Sequence, residues 1–284
     1  MTWSLVLAVL AGAMMHAAWN ALVKSSGDKP LDTALVHGLG AVVAVPFALW
    51  AGPPQAAAAP FIDISLVVHI GYYIALAGAY QHGEMGMTYP IMRGTAPMLV
   101  ALGSGAVLGE TPTAAAWLGI VGITLGVALV GLAHPGEALH HGKALAFAFA
   151  NAGIIATYTL VDGLGVRASG EPLRYVLWLF AIDGLPFALL VVWRRGAAAR
   201  PAMWAYAKQR LPLAAAGGLA SAASYAIALW AMTRAPVASV AALRETSVLF
   251  AAVLSTLLLK ERFGLQRAMG TAVIVGGVVA LRLG

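Results

Sequence analysis

Arg93 and Arg244 each place a guanidinium group near the start of an apolar segment. A guanidinium fork matches a carboxylate through two parallel hydrogen bonds, which predicts a site for a substrate carboxylate. Alternatively, the arginines pair with Glu84 or Glu245 and hold helix ends together. Because a charge among apolar residues is costly without a partner, the sequence favours this structural pairing. Glu84 and both arginines are nevertheless kept as candidate substrate-binding residues.

Several apolar segments carry polar or aromatic residues at the spacing of one helical face. In the first segment, His16, Trp19, Asn20 and Lys24 lie at i, i+3, i+4 and i+8. Polar residues are costly against lipid and tend to line a bundle interior or an aqueous cavity. The candidate substrate-binding residues are Trp19, Asn20, Tyr80, His82, Glu84, Arg93, Tyr158, Asp162, Tyr225, Trp230 and Arg244. The candidates for a proton relay are Glu84, Asp162 and His82.

The aromatic candidates are Trp19, Tyr80, Tyr158, Tyr225 and Trp230. They are suited to stacking on an aromatic substrate or to cation-π contacts with an ammonium group. Tryptophan and tyrosine are also enriched at membrane interfaces, so an anchoring role is an equal alternative for each.

The composition places these residues in a membrane. Of 284 residues, 61% are hydrophobic and 10% are charged, against about 45–50% and about 25% in soluble domains. The chain is therefore expected to be a multi-pass membrane protein. Its net charge of +6 is attributed to membrane topology, so we expect no nucleic-acid partner.

The sequence predicts neither a cofactor nor a metal. Cysteine is absent, which excludes a thiolate site, and the Gly-rich motif of nucleotide-binding loops is also absent. His134, His140 and His141 lack carboxylates at ligand spacing. We interpret their segment as a linker.

Apolar runs of about 20 residues, the length that crosses a bilayer, predict ten transmembrane helices. Their expected bounds are 3–24, 31–51, 62–83, 87–108, 114–132, 142–163, 172–193, 211–233, 237–259 and 265–282. The connections between them are too short for a soluble domain, so the function must lie in the membrane.

The chain repeats itself. At an offset of 151, "RGTAPMLVALGSGAVLGE" aligns with "RETSVLFAAVLSTLLLKE", and Gly119 and Gly126 in the next helix align with Gly270 and Gly277. The expected domains are a first five-helix repeat, 1–133, a linker, 134–141, and a second repeat, 142–284. Because five is odd, the second repeat enters the membrane from the opposite side. We therefore expect an all-α fold of two inverted repeats around a central cavity, where alternating access takes place.

Pro90 and Pro97 distinguish the fourth helix from its repeat, which has Ala241 and Val248 instead. Proline removes a backbone donor and kinks a helix. The two repeats are therefore expected to differ mechanically, with gating in the fourth helix.

The stretches "HAAWNALVK", "YPIMRGTAP", "LGETPTAAAWLG" and "LKERFGLQRAMG" resemble the EamA-type branch of the drug/metabolite transporter superfamily. Within that branch the chain is similar to YddG-type amino-acid exporters. The resemblance implies a secondary transporter of the cell inner membrane that exports amino acids, aromatic or other. It leaves a multidrug or other metabolite permease as an alternative.

Two further classes are less favoured. A polytopic enzyme acting on a lipid-linked substrate would need clustered ionisable groups, whereas the eleven acidic residues are scattered. A receptor would normally carry an extramembrane domain, so the chain is not expected to be an enzyme or a receptor.

The internal duplication makes a functional monomer reasonable. Basic residues concentrate in the odd-numbered loops, which favours termini outside the cytoplasm, whereas the resemblance implies termini inside. The sequence leaves the orientation open.

Overall fold

The structure is a computed structural model that describes residues 1–24, 26–83, 85–131, 142–259 and 264–283. Those residues form helices and no strand, and ten spans among them are long and apolar enough to cross a membrane. The helices are α1 Trp3–Lys24, α2 Lys29–Ala51, α3 Ala59–His82, α4 Met85–Leu108, α5 Ala114–Gly131, α6 Gly142–Ala168, α7 Pro172–Arg195, α8 Arg200–Met232, α9 Val237–Glu245, α10 Ser247–Leu259 and α11 Leu265–Leu283. The all-helical, ten-span prediction is confirmed.

Local sequence explains where several helices begin. Proline occupies the first turn of α2, α3, α7 and α8, where a missing N–H leaves no helical hydrogen bond unmade. Asp28 caps α2, because its side chain accepts a hydrogen bond from the Leu31 amide at 3.1 Å.

Helix α8 begins at Arg200, eleven residues before the predicted start of the eighth span at 211. With 33 residues it is about 50 Å long, whereas the hydrocarbon core is about 30 Å thick. The apolar pattern could not show this extension, because the added turns lie where polar residues are tolerated. Their Met203 is buried in a cluster with Leu31 and Val191.

The ninth span is interrupted. Helix α9 ends at Glu245 and α10 starts at Ser247, with Thr246 between them. The Thr246 amide donates to the Leu243 carbonyl at 3.2 Å, as does its hydroxyl at 2.7 Å. An i to i+3 bond inside a long helix often marks a hinge. By contrast, α4 continues through Pro90 and Pro97 without interruption. Neither proline ends the helix, and the kink stays a prediction.

Helices α5 and α11 pack against each other through glycines that are equivalent in the two repeats. A Cβ on Gly119 would lie 2.8 Å from the Gly277 carbonyl, and one on Gly126 would lie 2.8 Å from the Gly270 carbonyl. Gly119 meets the later Gly277 and Gly126 meets the earlier Gly270, so the two helices are antiparallel. Because Gly119 is equivalent to Gly270 and Gly126 to Gly277, each contact is the counterpart of the other, as a two-fold relation requires.

Other helix–helix contacts between the two repeats also occur in equivalent pairs. Helix α1 packs against α8, and α6 packs against α3, which are equivalent pairings. Helix α2 packs against its own counterpart α7, where a Cβ on Gly184 would overlap the His37 carbonyl. This arrangement encloses a space between α1, α2, α3, α4, α6, α7, α8 and α9.

Candidate functional site

A cavity of about 110 Å³ lies at the interface of the two repeats. It is smaller than the roughly 300–1,000 Å³ of pockets for drug-sized ligands. The residues that line it are His16, Trp19, Asn20, His37, His69, Tyr72, Tyr73, Tyr89, Arg93, Tyr158, Leu179, Phe180, Asp183, Ser221, Tyr225 and Arg244. We call this space the central cavity. Its lining combines aromatic rings with a few charges, which suits a small polar molecule with an aromatic or apolar part.

Arg93 forms a buried ion pair with Glu245. Its Nε lies 2.7 Å from Oε2 of Glu245, and the two side chains are only 7% and 5% exposed. The contact lacks hydrogen-bond alignment, so within the described chain Nε and Nη2 of Arg93 and Oε2 of Glu245 have no hydrogen-bond partner. Of the two acids considered from the sequence, the structure supplies Glu245, and Glu84 lies outside the described residues.

Arg244 has different surroundings although it is the repeat equivalent of Arg93. Its guanidinium lies 4.8 Å from the centre of the Tyr225 ring, a cation-π contact. Among the described residues it makes no ion pair with a carboxylate. Among the described residues, the cavity therefore has one arginine in an ion pair with a carboxylate and one that makes no such pair.

Aromatic and imidazole rings form a continuous layer along the central cavity. His69 stacks on Tyr158 with ring centres 4.4 Å apart, and Tyr158 meets Tyr225 edge-on at 6.5 Å. On another side, Trp19 meets His37 edge-on at 5.7 Å. Such rings offer faces for stacking and for a cation.

Three of the four residues predicted on one face of α1 line the central cavity: His16, Trp19 and Asn20. Trp19 Nε1 donates to His16 Nδ1 at 3.3 Å, and the Asn20 amide donates to the His16 carbonyl at 2.8 Å. His16 lines this wall although it was not among the candidate binding residues, and a role of these residues in binding stays a prediction.

Asp162 lies behind the central cavity wall rather than in it. It is fully buried and accepts hydrogen bonds from the hydroxyls of Tyr175, at 2.9 Å, and Tyr225. It thus connects α6, α7 and α8 and fixes the position of the Tyr225 ring under Arg244. The structure gives this candidate a positioning contact with a lining residue.

Three candidates are not brought to the central cavity. Tyr80 packs in a side cluster with Ala79 and Phe147, and His82 is exposed and stacks on Phe147 at 5.7 Å. Trp230 is 36% exposed on the outer surface, where Arg234 lies 4.4 Å from its ring centre. All three residues lie on helices that line the central cavity, but on faces that do not point into it.

The sequence also missed several lining residues, among them His37, His69, Phe180 and Asp183. A signal was available for three of them. An isolated ionisable residue within a strongly apolar span is usually functional, and His37, His69 and Asp183 are each of this kind.

Ion pairs between the two repeats close the end of the bundle that carries the first and seventh connections. Arg195 donates to both carboxylate oxygens of Asp28 at 2.6 Å, and Arg210 donates to Asp32 at 2.5 and 3.1 Å. The Arg195 guanidinium holds the pKa of the Asp28 carboxyl below its usual range, and the Leu31 amide adds to this effect.

The opposite end is held by Glu110 and Arg167. One carboxylate oxygen accepts from Arg167 at 2.6 Å and the other from the Val237 amide at 2.9 Å. Arg167 also donates to the carbonyls of Met232 and Ala235 at 2.8 and 3.2 Å. At both ends the acid belongs to the first repeat and the arginine to the second.

The two prolines of α4 are both buried. The ring of Pro90 packs so closely on Gly131 of α5 that a Cβ there would overlap it. This contact ties the start of α4 to α5, and a gating role for Pro90 and Pro97 stays a prediction.

A metal site is not found in the part of the chain that the structure describes, where no three His, Asp or Glu side chains come together. The histidines at 134, 140 and 141 lie outside that part.

Comparison with known proteins decides the family. The model of the EamA-like transporter family matches residues 3–132 and again residues 142–283. The chain belongs to the EamA-like transporter family. The double match agrees with the duplication seen in the EamA fold, and it supports a transporter of small metabolites embedded in a membrane by multiple spans.

A solved structure shares the fold of the chain. A crystal structure of a protein matches with a TM-score of 0.76 at 19% identity, covering 100% of this chain and 98% of that chain. At this identity the likeness shows the fold alone. No curated protein matches the chain. The similarity to YddG-type exporters stays a prediction.

Proposed function

We propose that this EamA-like protein is a secondary transporter that exports amino acids, aromatic ones among them, across the cell inner membrane. The supporting observation is the central cavity at the repeat interface, where Arg244 makes no ion pair with any described carboxylate and lies beside a layer of aromatic rings. A substrate carboxylate would bind Arg244, and its side chain would stack on Tyr158 or Trp19. The direction of transport is taken from the resemblance to exporters.

The proposed roles of the site residues follow their positions. Arg244, Trp19, Asn20, Tyr158 and Tyr225 line the central cavity and would contact the substrate. Arg93 also lines it, but its pairing with Glu245 favours a structural role. Asp162 would act by holding Tyr225 in place.

Alternating access would use the ion pairs at the two ends of the bundle as gates. Each pair joins one repeat to the other, so the repeats can separate at one end only if the pairs there break. All of these pairs are formed in the structure, and the central cavity is small. The moving bodies would be the repeats 1–133 and 142–284, joined by the linker 134–141 and working within a monomer.

The test is exchange of radiolabelled L-phenylalanine by purified protein in liposomes. Tyr158→Ala and Trp19→Ala remove rings from the central cavity, and we expect each to reduce exchange at least tenfold. Trp230→Ala is the matched control, because it removes an equally large ring from the outer surface and should leave exchange near the wild-type rate.

All variants must elute as monodisperse protein for the comparison to hold. Exchange that is equal in the cavity variants and in the control would contradict the site. A wild-type protein that exchanges none of phenylalanine, tryptophan, alanine and threonine would contradict the substrate class.

A further inference from the structure

Asp183 lies at the middle of a helix that is long and apolar enough to span a membrane. It is the twelfth residue of α7, which has 24 residues and no other acid in its length. Its side chain is 17% exposed and lines the central cavity. A carboxylate at this depth is costly unless a cation or several hydrogen-bond donors compensate it. The compensating group must therefore be identified.

The described protein does not supply a full partner. The nearest basic group is His69, whose Nδ1 lies 3.8 Å from Oδ1 of Asp183, too far for a hydrogen bond. That nitrogen lies only 2.8 Å from the backbone oxygen of Ser65. The Ser65 hydroxyl lies 3.2 Å from the same nitrogen, so Nδ1 is engaged by Ser65 rather than by Asp183. Within the described residues, the Asp183 carboxylate accepts no hydrogen bond.

Among the described residues, two charged groups of the central cavity have no opposite charge in bonding contact. One is the Asp183 carboxylate, and the other is the Arg244 guanidinium on the far side of the ring layer. Between them lie His69, Tyr158 and Tyr225, which touch in sequence from Asp183 to Arg244. Arg93 is not counted with these two charges, because it already makes an ion pair with Glu245.

We propose that Asp183 and His69 form a subsite for the cationic group of the substrate, an ammonium in the case of an amino acid. The subsite rests on the proposed function and adds a second recognition point to it. An ammonium offers three donors, and the carboxylate of Asp183 accepts from it at short range. Charge complementarity selects a molecule with an anionic and a cationic end.

The experiment compares three ligands that share one ring and differ in charge. L-Phenylalanine carries both charged groups, 3-phenylpropionate carries only the carboxylate, and phenethylamine carries only the ammonium. Their dissociation constants are measured by competition with labelled L-phenylalanine on the purified full-length protein, or by thermal shift where competition is weak.

Asp183→Asn and Arg244→Gln are the two variants. Asp183→Asn removes a charge with little change of shape, whereas Arg244→Gln removes a charge and also shortens the side chain. Losing one charge-assisted hydrogen bond corresponds to a roughly 10-fold to 100-fold weaker affinity. We expect Asp183→Asn to weaken phenylalanine and phenethylamine by this factor and to leave phenylpropionate unchanged. Arg244→Gln should weaken phenylalanine and phenylpropionate and leave phenethylamine unchanged.

The outcomes separate the subsite from the function. A wild-type protein that binds none of the three ligands overturns the subsite, and the proposed function is overturned only if tryptophan, alanine and threonine are not exchanged either. If the wild type binds phenylalanine but Asp183→Asn affects all three ligands equally or none of them, the subsite is overturned and the function stands. Should Asp183→Asn fail to fold, Asp183→Glu keeps the charge one methylene further out. It must still show a selective loss for the two amines, and an equal loss for all three ligands overturns the subsite.

Discussion

Glu245→Gln tests whether Arg93 is a structural partner, and the buried geometry predicts a large loss of stability. At 2.7 Å and an effective dielectric constant of 20, the two charges attract by about 6 kcal/mol. Removing both ions from water opposes this by several kcal/mol each. Glu245→Gln removes the attraction but leaves Arg93 buried and charged, since a guanidinium stays protonated. We expect the free energy of unfolding to fall by about 3–5 kcal/mol.

The converse variant should be milder. Arg93→Gln leaves Glu245, which can take up a proton and become neutral. The double variant should lose less than the sum of the single variants, with a coupling energy of about 2 kcal/mol or more. Unfolding by SDS titration in mixed micelles, followed by circular dichroism, measures all three free energies.

Arg244→Gln is the matched control, because it is the same substitution at the equivalent position of the other repeat. It removes a cation-π contact with Tyr225 and no ion pair, so its loss should be about 0.5–2 kcal/mol. Equal losses for Glu245→Gln and Arg244→Gln, together with additive losses for Arg93 and Glu245, would refute the assignment of Arg93 to a structural pair.

Three further predictions concern the gates, the repeat interface and pH. Glu110→Gln should open one end of the bundle, and Asp28→Asn should open the other. A single cysteine introduced at Ser221 should therefore react faster with an impermeant maleimide, from opposite sides of the membrane in the two variants. Acceleration from the same side in both variants would argue against gating. Gly126→Ala should lower the free energy of unfolding by about 1–3 kcal/mol because it forces α5 away from α11, while Gly276→Ala, with open space around it, should be neutral or slightly stabilising in the same SDS titration. The Asp28–Arg195 pair should contribute about 1 kcal/mol or less to the free energy of unfolding above about pH 4, and this contribution should be lost as the pH falls through the lowered pKa of Asp28. The melting temperatures of the wild type and Asp28→Asn should therefore converge in acid. A difference between them that widens in acid would contradict the pairing.

The sequence was a good guide to the repeats. Gly119 and Gly126 align with Gly270 and Gly277 in the internal repeat, and the same four residues form the contact between α5 and α11. Apolar length and internal similarity suffice here, because a bilayer leaves few alternatives to a bundle of spanning helices.

The site was less predictable, because spacing along one helix does not say which neighbour its face meets. Arg93 and Arg244 are the same residue at equivalent positions, yet of the two only Arg93 makes an ion pair with Glu245 among the described residues. Trp230 shares a helix with Tyr225 but points outward to Arg234. Asp183 was overlooked because it stands alone on its helix, and its partners come from α3 and, as we propose, from the substrate.

The central claim is that one cavity opens to each side of the membrane in turn, and labelling of a single cysteine tests it most directly. The chain has no cysteine, so Ser221→Cys introduces one thiol into the central cavity without competing sites. We expect an impermeant maleimide to reach this thiol from either side of proteoliposomes, and saturating L-phenylalanine to protect it from both. Reaction from one side only, or no protection on either side, would contradict alternating access at this cavity.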